Sequence, residues 1–285
     1  MLTLKAPAKI NWFLNVLGRR DDGYHDIESI IQKIGLYDFI SFRPSKDLTL
    51  KTDLQIPTEQ NLVYKAAVLL KKTSGVSAGA KIRLNKNVPV AAGLGGGSSD
   101  AASTLLGLNK MWSLDLSCNE LNVLAEQLGS DVPFFLHGPL AFVNGRGENV
   151  TDYRSIKSIN ILLVKPPVSV STRWAYENLK SVRLDSELTK RSSKVNNIML
   201  FIHAIRKVEL QGTSGFHNDL EPVATKTFPV IADIKERLLR EGAIFSMMSG
   251  SSPTVFGVFE SAKEAGKASK AFKDCWTAAV QTITN

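Results

Sequence analysis

Cysteine is nearly absent: Cys118 and Cys275 are the only two in 285 residues, with no CxxC spacing and no histidine beside them. That excludes a disulfide framework and a zinc site of ordinary spacing, and leaves buried or inert thiols as the expectation. The four histidines, His25, His137, His203 and His217, are scattered, and neither an HExxH pair nor a calcium loop of spaced carboxylates occurs, so no built-in metal is expected. Long apolar runs are missing too: none reaches the roughly 18 residues of a spanning helix. The opening MLTLKAPAKINWFLNV alternates where a signal peptide would be continuously apolar, so a cytoplasmic protein with an intact N-terminus and no membrane partner is expected.

What is present is an ordinary globular composition, 44% hydrophobic and 22% charged, with a mean hydropathy of -0.03. At about 150 residues per domain, the length favours two domains. The net charge of +8 raises the question of an anionic partner. Residues 40–86 carry nine basic against three acidic side chains and residues 151–210 eleven against five, whereas 87–150 carry two against six. The excess therefore lies outside the glycine-rich centre, and no Lys/Arg block is interleaved with aromatics. A generally basic surface outranks a nucleic-acid interface.

The chain alternates between strand and helix patterns. In KINWFLNV (9–16) a period of two places Ile10, Trp12, Leu14 and Val16 on one face and Lys9, Asn11, Phe13 and Asn15 on the other. After the Asp22-Gly23 turn, IESII (27–31), LYDFISF (36–42) and LTL (48–50) read as short antiparallel strands. Thr58 is the expected N-cap of a helix through Leu62, Ala66, Leu69 and Leu70 that ends near Gly75, and KIRL (81–84) returns as a strand. A helix over 98–112 would bury Ala102, Leu105, Leu106 and Leu108, and Ser117 with Glu120 forms a capping box for another that stops at Gly129. LAFV (140–143), INILLV (159–164) and PTVFGVF (253–259) read as strands, and helices are expected at about 196–208, 229–241 and 261–274. Residues 180–195 read as an exposed polar and basic excursion. The sum is an α+β chain in two halves, 1–155 and 156–285.

The most informative stretch is PVAAGLGGGSSDAA (89–102). Glycines admit positive φ and close approach of bare backbone to a ligand, and the unpaired amides of the following helix favour phosphate oxygens. Ser98 or Ser99 would cap that helix when the loop is empty, or meet a phosphate or its magnesium. The two common phosphate fingerprints do not fit: Gly97 is followed by Ser98-Ser99 where a Walker A loop needs Lys-Ser/Thr, and a GxGxxG beginning at Gly93 finds Ser98 in place of its last glycine.

This segment resembles the phosphate-binding motif of the GHMP kinases. Further blocks are similar in the same order: PAKINWFLNV (7–16), DGYHDIESI (22–30), QNLVYKAA (60–67), LGSDVPFFL (128–136), HNDLE (217–221) and MMSGSSPTVFGVF (247–259). One departure is Ser252, which stands where the family usually has the second glycine of Ser-Gly-Ser-Gly-Pro-Thr. The resemblance implies a two-domain fold: an N-terminal domain like the second domain of ribosomal protein S5, a ferredoxin-like C-terminal domain, and an active site between them. It implies ATP as phosphoryl donor with Mg2+ carried on the nucleotide. Within the family the blocks are most similar to the branch whose acceptor is a cytidine diphosphate-linked polyol of non-mevalonate isoprenoid biosynthesis. No nucleic-acid partner is expected, and the chain is expected to be a monomer or weak homodimer. A sibling small-molecule kinase is the nearest rival reading, and a non-catalytic RNA-binding protein a distant one.

The resemblance also assigns residues. Asp131 falls beside the acceptor hydroxyl, as base or orienting group, with Lys9 near both that carboxylate and the transferring phosphate. Local sequence alone would make Asp131 a helix N-cap and Lys9 an edge-strand lysine. Asn11 would position the substrate. Tyr24 and His25 would hold the cytosine, with Tyr176, or failing it Trp174, on its other face. Asn61, Lys86, Pro89, Gly93, Leu94, Gly95, Gly96, Gly97, Ser98 and Ser99 would bind ATP.

Overall fold

The computed structural model describes residues 1–154, 157–179, 203, 205 and 216–284. The excursion at 180–195 and nearly all of the helix expected at 196–208 lie outside them. Two sheets organise the chain. The first has six strands, β1 (Leu2–Arg19), β2 (His25–Ser45), β3 (Thr49–Lys51), β4 (Gly79–Asn85), β5 (Leu140–Gly145) and β6 (Asn149–Tyr153). The second has four, in the order β10 (Trp276–Gln281), β7 (Asn160–Lys165), β9 (Val255–Phe259) and β8 (Phe245–Met248), all antiparallel.

The expected short strands 27–31 and 36–42 are one ribbon. β2 pairs with β1 along its length, while its first half also pairs with β5 and its second half with β4. Local alternation cannot show this continuity, because Lys33, Gly35 and Tyr37 interrupt the apolar pattern where backbone pairing carries on. The pairing of β1 and β2 shifts between Asn11 and Phe13. Such a bulge moves every later side chain to the opposite face. Phe13 therefore joins Ile10 and Trp12 in the core between the sheets, and Leu14 and Val16 join a different cluster. The expected division of faces holds for Lys9 and Asn11 and fails from Phe13 onward.

Helices α1 (Leu62–Ser74), α2 (Gly96–Met111) and α3 (Cys118–Leu128) cover one face of the first sheet through Val63, Ala66, Leu70, Ala101, Ala102, Leu105 and Leu108. Leu106, expected inside, is 40% exposed because it sits a further 100° round the helix from Leu105. Helix α1 is capped by Asn61 and not by Thr58, which begins a separate 3-10 turn. The capping box at Ser117 and Glu120 forms as expected. Cys118, at the start of that helix, is exposed and Cys275 half-buried, so of the expected buried or inert thiols neither is a fully buried one. The other face of the first sheet meets the second sheet over Ile10, Trp12, Ile30, Ile161, Leu163, Phe256 and Val258. Trp12 is fully buried, and its indole N–H donates to Gln32 Oε1 at 2.7 Å, so no polar group is left unpaired there. Four more helices, α4 (Thr172–Asn178), α5 (Glu221–Thr227), α6 (Val230–Arg240) and α7 (Ala262–Ala268), contribute with Leu162, Val164, Val255 and Phe259 to the third cluster. No helix among the described residues is long and apolar enough to cross a membrane.

Candidate active site

A cleft of about 1120 Å³ is lined by β1, the glycine loop, the turn before β2, helix α4 and the loop after β8. It slightly exceeds the roughly 300–1,000 Å³ typical of a small-molecule pocket.

Backbone strain shapes one end. Lys9 N–H donates to Leu94 O at 2.9 Å, docking the loop onto β1. Gly95 has φ +67°, and a Cβ there would lie 2.8 Å from both Lys9 Cγ and Phe135 Cζ. Only glycine fits. Gly95 is also the N-cap of α2 and makes no side-chain cap, so the amides of the first turn stay open toward the cleft. The expected serine cap does not form, because both serines already lie inside the helix. Ser98 lines the cleft, whereas Ser99 is fully buried, is not part of the lining, and leaves its hydroxyl without a partner. Asn61 is 4% exposed; its Oδ1 accepts from Val63 N–H at 2.9 Å, while its Nδ2 has no partner. A buried donor on the cleft wall is what a ligand acceptor would satisfy.

Beneath this loop lies a charge cluster that sequence reasoning only half saw. Lys86 Nζ lies 2.5 Å from Asp38 Oδ2 and 2.7 Å from Asp100 Oδ2, with both carboxylates almost fully buried. Asp38 Oδ1 also accepts from the N–H groups of Asn87, at 2.6 Å, and Val88, at 2.9 Å, so one carboxylate fixes the loop's entrance. Asp100 is pushed up to about 7 by burial, against the nearby Lys86 charge and with the help of Asp38. Asp38 carried no signal within its strand pattern; Asp100 stood one residue beyond the serines.

At the centre, Lys9 is 4% exposed. Its Nζ donates to Asn11 Oδ1 at 2.6 Å and lies 3.4 Å from Asp131 Oδ2, whose side chain is 35% exposed. Asn11 Nδ2 donates in turn to Ser29 Oγ at 2.8 Å, and that hydroxyl donates to Phe13 O at 2.5 Å. A buried ammonium, an amide and a partly exposed carboxylate therefore converge beside the loop. Asp131 caps no helix: the following 3-10 turn, Pro133–Leu136, has Val132 as its N-cap and no side-chain cap.

At the other end, His25 stacks on Tyr176 with ring centroids 4.9 Å apart, and Tyr24 is 52% exposed with the Arg146 guanidinium 5.1 Å from its ring centre. Burial, with the charges of Asp131 and Asp219, pushes the Tyr176 hydroxyl up, so it stays neutral. Trp174 points away and packs edge-on against Phe228. The HNDLE block closes the site from behind: Asn218 Nδ2 donates to Met248 O and Gly250 O, and Asp219 N–H donates to Leu14 O. Among the described residues no three His, Cys, Asp or Glu side chains converge as metal ligands. Every residue assigned from sequence except Ser99 lines this one cleft.

Residues 61–139 match the GHMP kinases N terminal domain and residues 201–278 the GHMP kinases C terminal domain. A 4-diphosphocytidyl-2-C-methyl-D-erythritol kinase from Thermodesulfovibrio yellowstonii is 44% identical over 285 residues, covering 99% of this chain and 98% of its own. One from Lachnoclostridium phytofermentans is 45% identical over 278 residues, covering 96% and 93%. The crystal structure of a 4-(cytidine 5'-diphospho)-2C-methyl-D-erythritol kinase superposes with a TM-score of 0.84 at 30% identity over the whole of both chains. A homoserine kinase from Cytophaga hutchinsonii shares the fold, with a TM-score of 0.71 at 18% identity over 100% of this chain and 95% of its own. A glycine cradle on a helix start, a Lys-Asp pair beside it and this likeness along the full length agree: the chain belongs to the GHMP kinase family.

Proposed function

We propose that the chain transfers the γ-phosphoryl group of ATP to the 2-hydroxyl of 4-diphosphocytidyl-2-C-methyl-D-erythritol, a step of non-mevalonate isoprenoid precursor synthesis. The observation that carries this reading is the Lys9–Asp131 pair, 3.4 Å apart, at the junction between a phosphate cradle and an aromatic pocket. Phosphoryl transfer asks for in-line placement and neutralised charge more than for covalent chemistry.

In this reading the β- and γ-phosphates lie on the amides of Gly96, Gly97 and Ser98, Asn61 Nδ2 gains its missing acceptor, and Lys86 stiffens the loop's base. Leu54, Ile56, Leu62 and Val90 supply apolar wall beside the loop for the adenine. The acceptor hydroxyl donates its hydrogen bond to Asp131, which takes the proton as the oxygen bonds to the γ-phosphorus and ADP departs. Lys9 balances the charge that builds on the transferred group, and Asn11 holds Lys9 in place. Mg2+ carried on the nucleotide would supply charge neutralisation there, and the Ser98 hydroxyl, which lines the cleft, would be the side chain to meet it. Tyr24, His25 and Tyr176 take the cytosine, with the imidazole and nearby backbone groups on its hydrogen-bonding edge.

We place the domain division at 155/156, between β6 and β7, and the protein in the cytoplasm as a monomer or weak homodimer acting on small molecules alone.

The test is ATP consumption with and without the cytidine acceptor, and with its uridine analogue. Uracil presents an acceptor oxygen where cytosine has its amino donor and a ring N–H where cytosine has an acceptor, so two contacts are mismatched and a loss of roughly 10- to 1000-fold in kcat/KM is expected. Comparable values for the two acceptors, or turnover of an acceptor lacking a base, would move the protein to a sibling activity.

A further inference from the structure

Arg146 stands at the tip of the β5–β6 hairpin, in a position that the motif blocks do not cover. Its guanidinium faces the Tyr24 ring at 5.1 Å; among the described residues its ion pair is a long one, Nε to Glu148 Oε1 at 3.8 Å, and its charge adds to the Tyr24 N–H bond that chiefly holds the exposed Asp22 carboxyl below the usual range. The tip itself is firmly placed: Arg146 N–H donates to Glu148 Oε2 at 2.6 Å, and a Cβ on Gly147 would lie 3.3 Å from Ser130 O, the residue before Asp131. Arg146 thus sits with the aromatic pocket on one side and the Asp131 loop on the other. Resting on the reading above, an acceptor with its base at Tyr24 and its hydroxyl at Asp131 must run its diphosphate between those two points.

We propose that Arg146 is an acceptor-binding residue whose guanidinium pairs with the diphosphate of the nucleoside diphosphate-linked substrate. The cation rests on the Tyr24 ring, where a guanidinium is favourably held on the wall of the cleft. Two other arginines line this end, Arg19 and Arg173. Arg173 is 88% exposed and turned to Glu177 on its own helix, and Arg19 is exposed near the end of β1, whereas Arg146 is 26% exposed and faces the cleft. Partial burial and five fixed donors suit a diphosphate better than either neighbour does.

The test uses Arg146→Met and Arg146→Lys, with acceptor and ATP kinetics and inhibition by CDP and by cytidine. Arg146→Met should raise the acceptor KM and the CDP inhibition constant about tenfold or more, with the ATP KM and the cytidine constant within about twofold of wild type. Arg146→Lys should restore part of the loss, and the wild-type advantage should shrink as salt rises. Equal losses for CDP and cytidine would overturn the proposal, showing that Arg146 acts only through the Tyr24 ring. An unchanged acceptor KM would overturn it as well, and so would a parallel loss of ATP binding, which marks a collapsed hairpin. A wild-type protein indifferent to both CDP and cytidine would instead defeat the underlying substrate reading, and this proposal with it.

Discussion

The two ends of the cleft are built from different materials. At the glycine-loop end the cleft wall is backbone: positive φ at Gly95, open amides on α2, and under them the buried carboxylates of Asp38 and Asp100 held by Lys86. At the aromatic end it is side chain: Tyr24, His25 and Tyr176, with Arg146 laid over the outermost ring. A backbone surface cannot be retuned one atom at a time, because the conformation that opens its amides to the cleft is also part of the fold. A pocket of half-exposed side chains can change its ligand without threatening the core. Substitutions at the tightly packed positions of the first end should therefore cost stability and binding together, and at the second end binding alone. The Lys9–Asp131 pair joins the two.

The largest effect is expected at that junction. Asp131→Asn keeps the shape and removes the charge that accepts a proton, so kcat should fall about 10²- to 10⁴-fold while nucleotide affinity stays near wild type. Single-turnover kinetics with a parallel nucleotide titration would show it; near-normal turnover in a folded variant would remove Asp131 from the chemistry.

Next comes a contrast inside the loop. Gly95→Val forces a branched side chain into positive φ and against Lys9 and Phe135, so the melting temperature and turnover should fall together. At Gly97 a Cβ meets nothing closer than Leu62 Cδ1 at 3.4 Å. Gly97→Val should therefore fold normally and lose ATP affinity by about tenfold, with acceptor binding spared. Equal destabilisation by both would dissolve the distinction between cradle and scaffold.

Much of this was legible in the residues, and the failures have physical causes. Glycine density before an amphipathic helix identified the cradle because few other sequences tolerate that backbone. The Lys9 and Asn11 face was readable from a period of two. The face of Phe13 was not, since a bulge is a property of the pairing between β1 and β2 and leaves no mark in either strand alone. Asp38 was invisible for the same reason: its partners, at residues 86 to 88, come from beyond helix α1 and strand β4. That Trp174 packs against Phe228 while Tyr176 lines the cleft is likewise a matter of long-range packing. Local pattern reveals what a segment requires, and long-range pairing decides which of its side chains receive it.

Asp100 gives a pH test of the buried end. Its carboxyl titrates at about 7 in the folded chain, against roughly 4 when unfolded. Between those values the folded state binds more protons, so this group's contribution to stability is fully present below about pH 4 and is lost as pH rises toward 7, levelling above it. Asp100→Asn removes the titration while keeping an acceptor for Lys86. The variant should melt a few degrees above wild type at pH 8 and show a flatter dependence between pH 5 and 8. An unchanged slope in thermal scans would mean that Asp100 is ionised throughout.

At the aromatic end Tyr24→Ala should leave the melting temperature within about a degree, since the ring is half exposed, yet raise the acceptor KM about fivefold or more by removing a stacking face. Cytidine and uridine acceptors should suffer alike, because stacking does not read the base edge. A loss confined to one of them would place Tyr24 on that edge.

The smallest effect should come from Ser252, where the family pattern has glycine. The glycine would matter if the backbone needed positive φ or an absent side chain. Neither holds: Gly250, two residues earlier, takes φ +64°, whereas Ser252 is not among the residues with positive φ. Its side chain is buried and reaches Val170 O at 3.5 Å, a long and weak contact. Ser252→Gly would thus relieve no strain and forfeit little bonding, while giving the unfolded chain more freedom to lose on folding. A destabilisation of about 0.5–1 kcal/mol is expected, with kcat and both KM values within twofold. Faster turnover in the glycine variant would show instead that the serine holds the loop away from the nucleotide, and that this chain runs below the rate its fold allows.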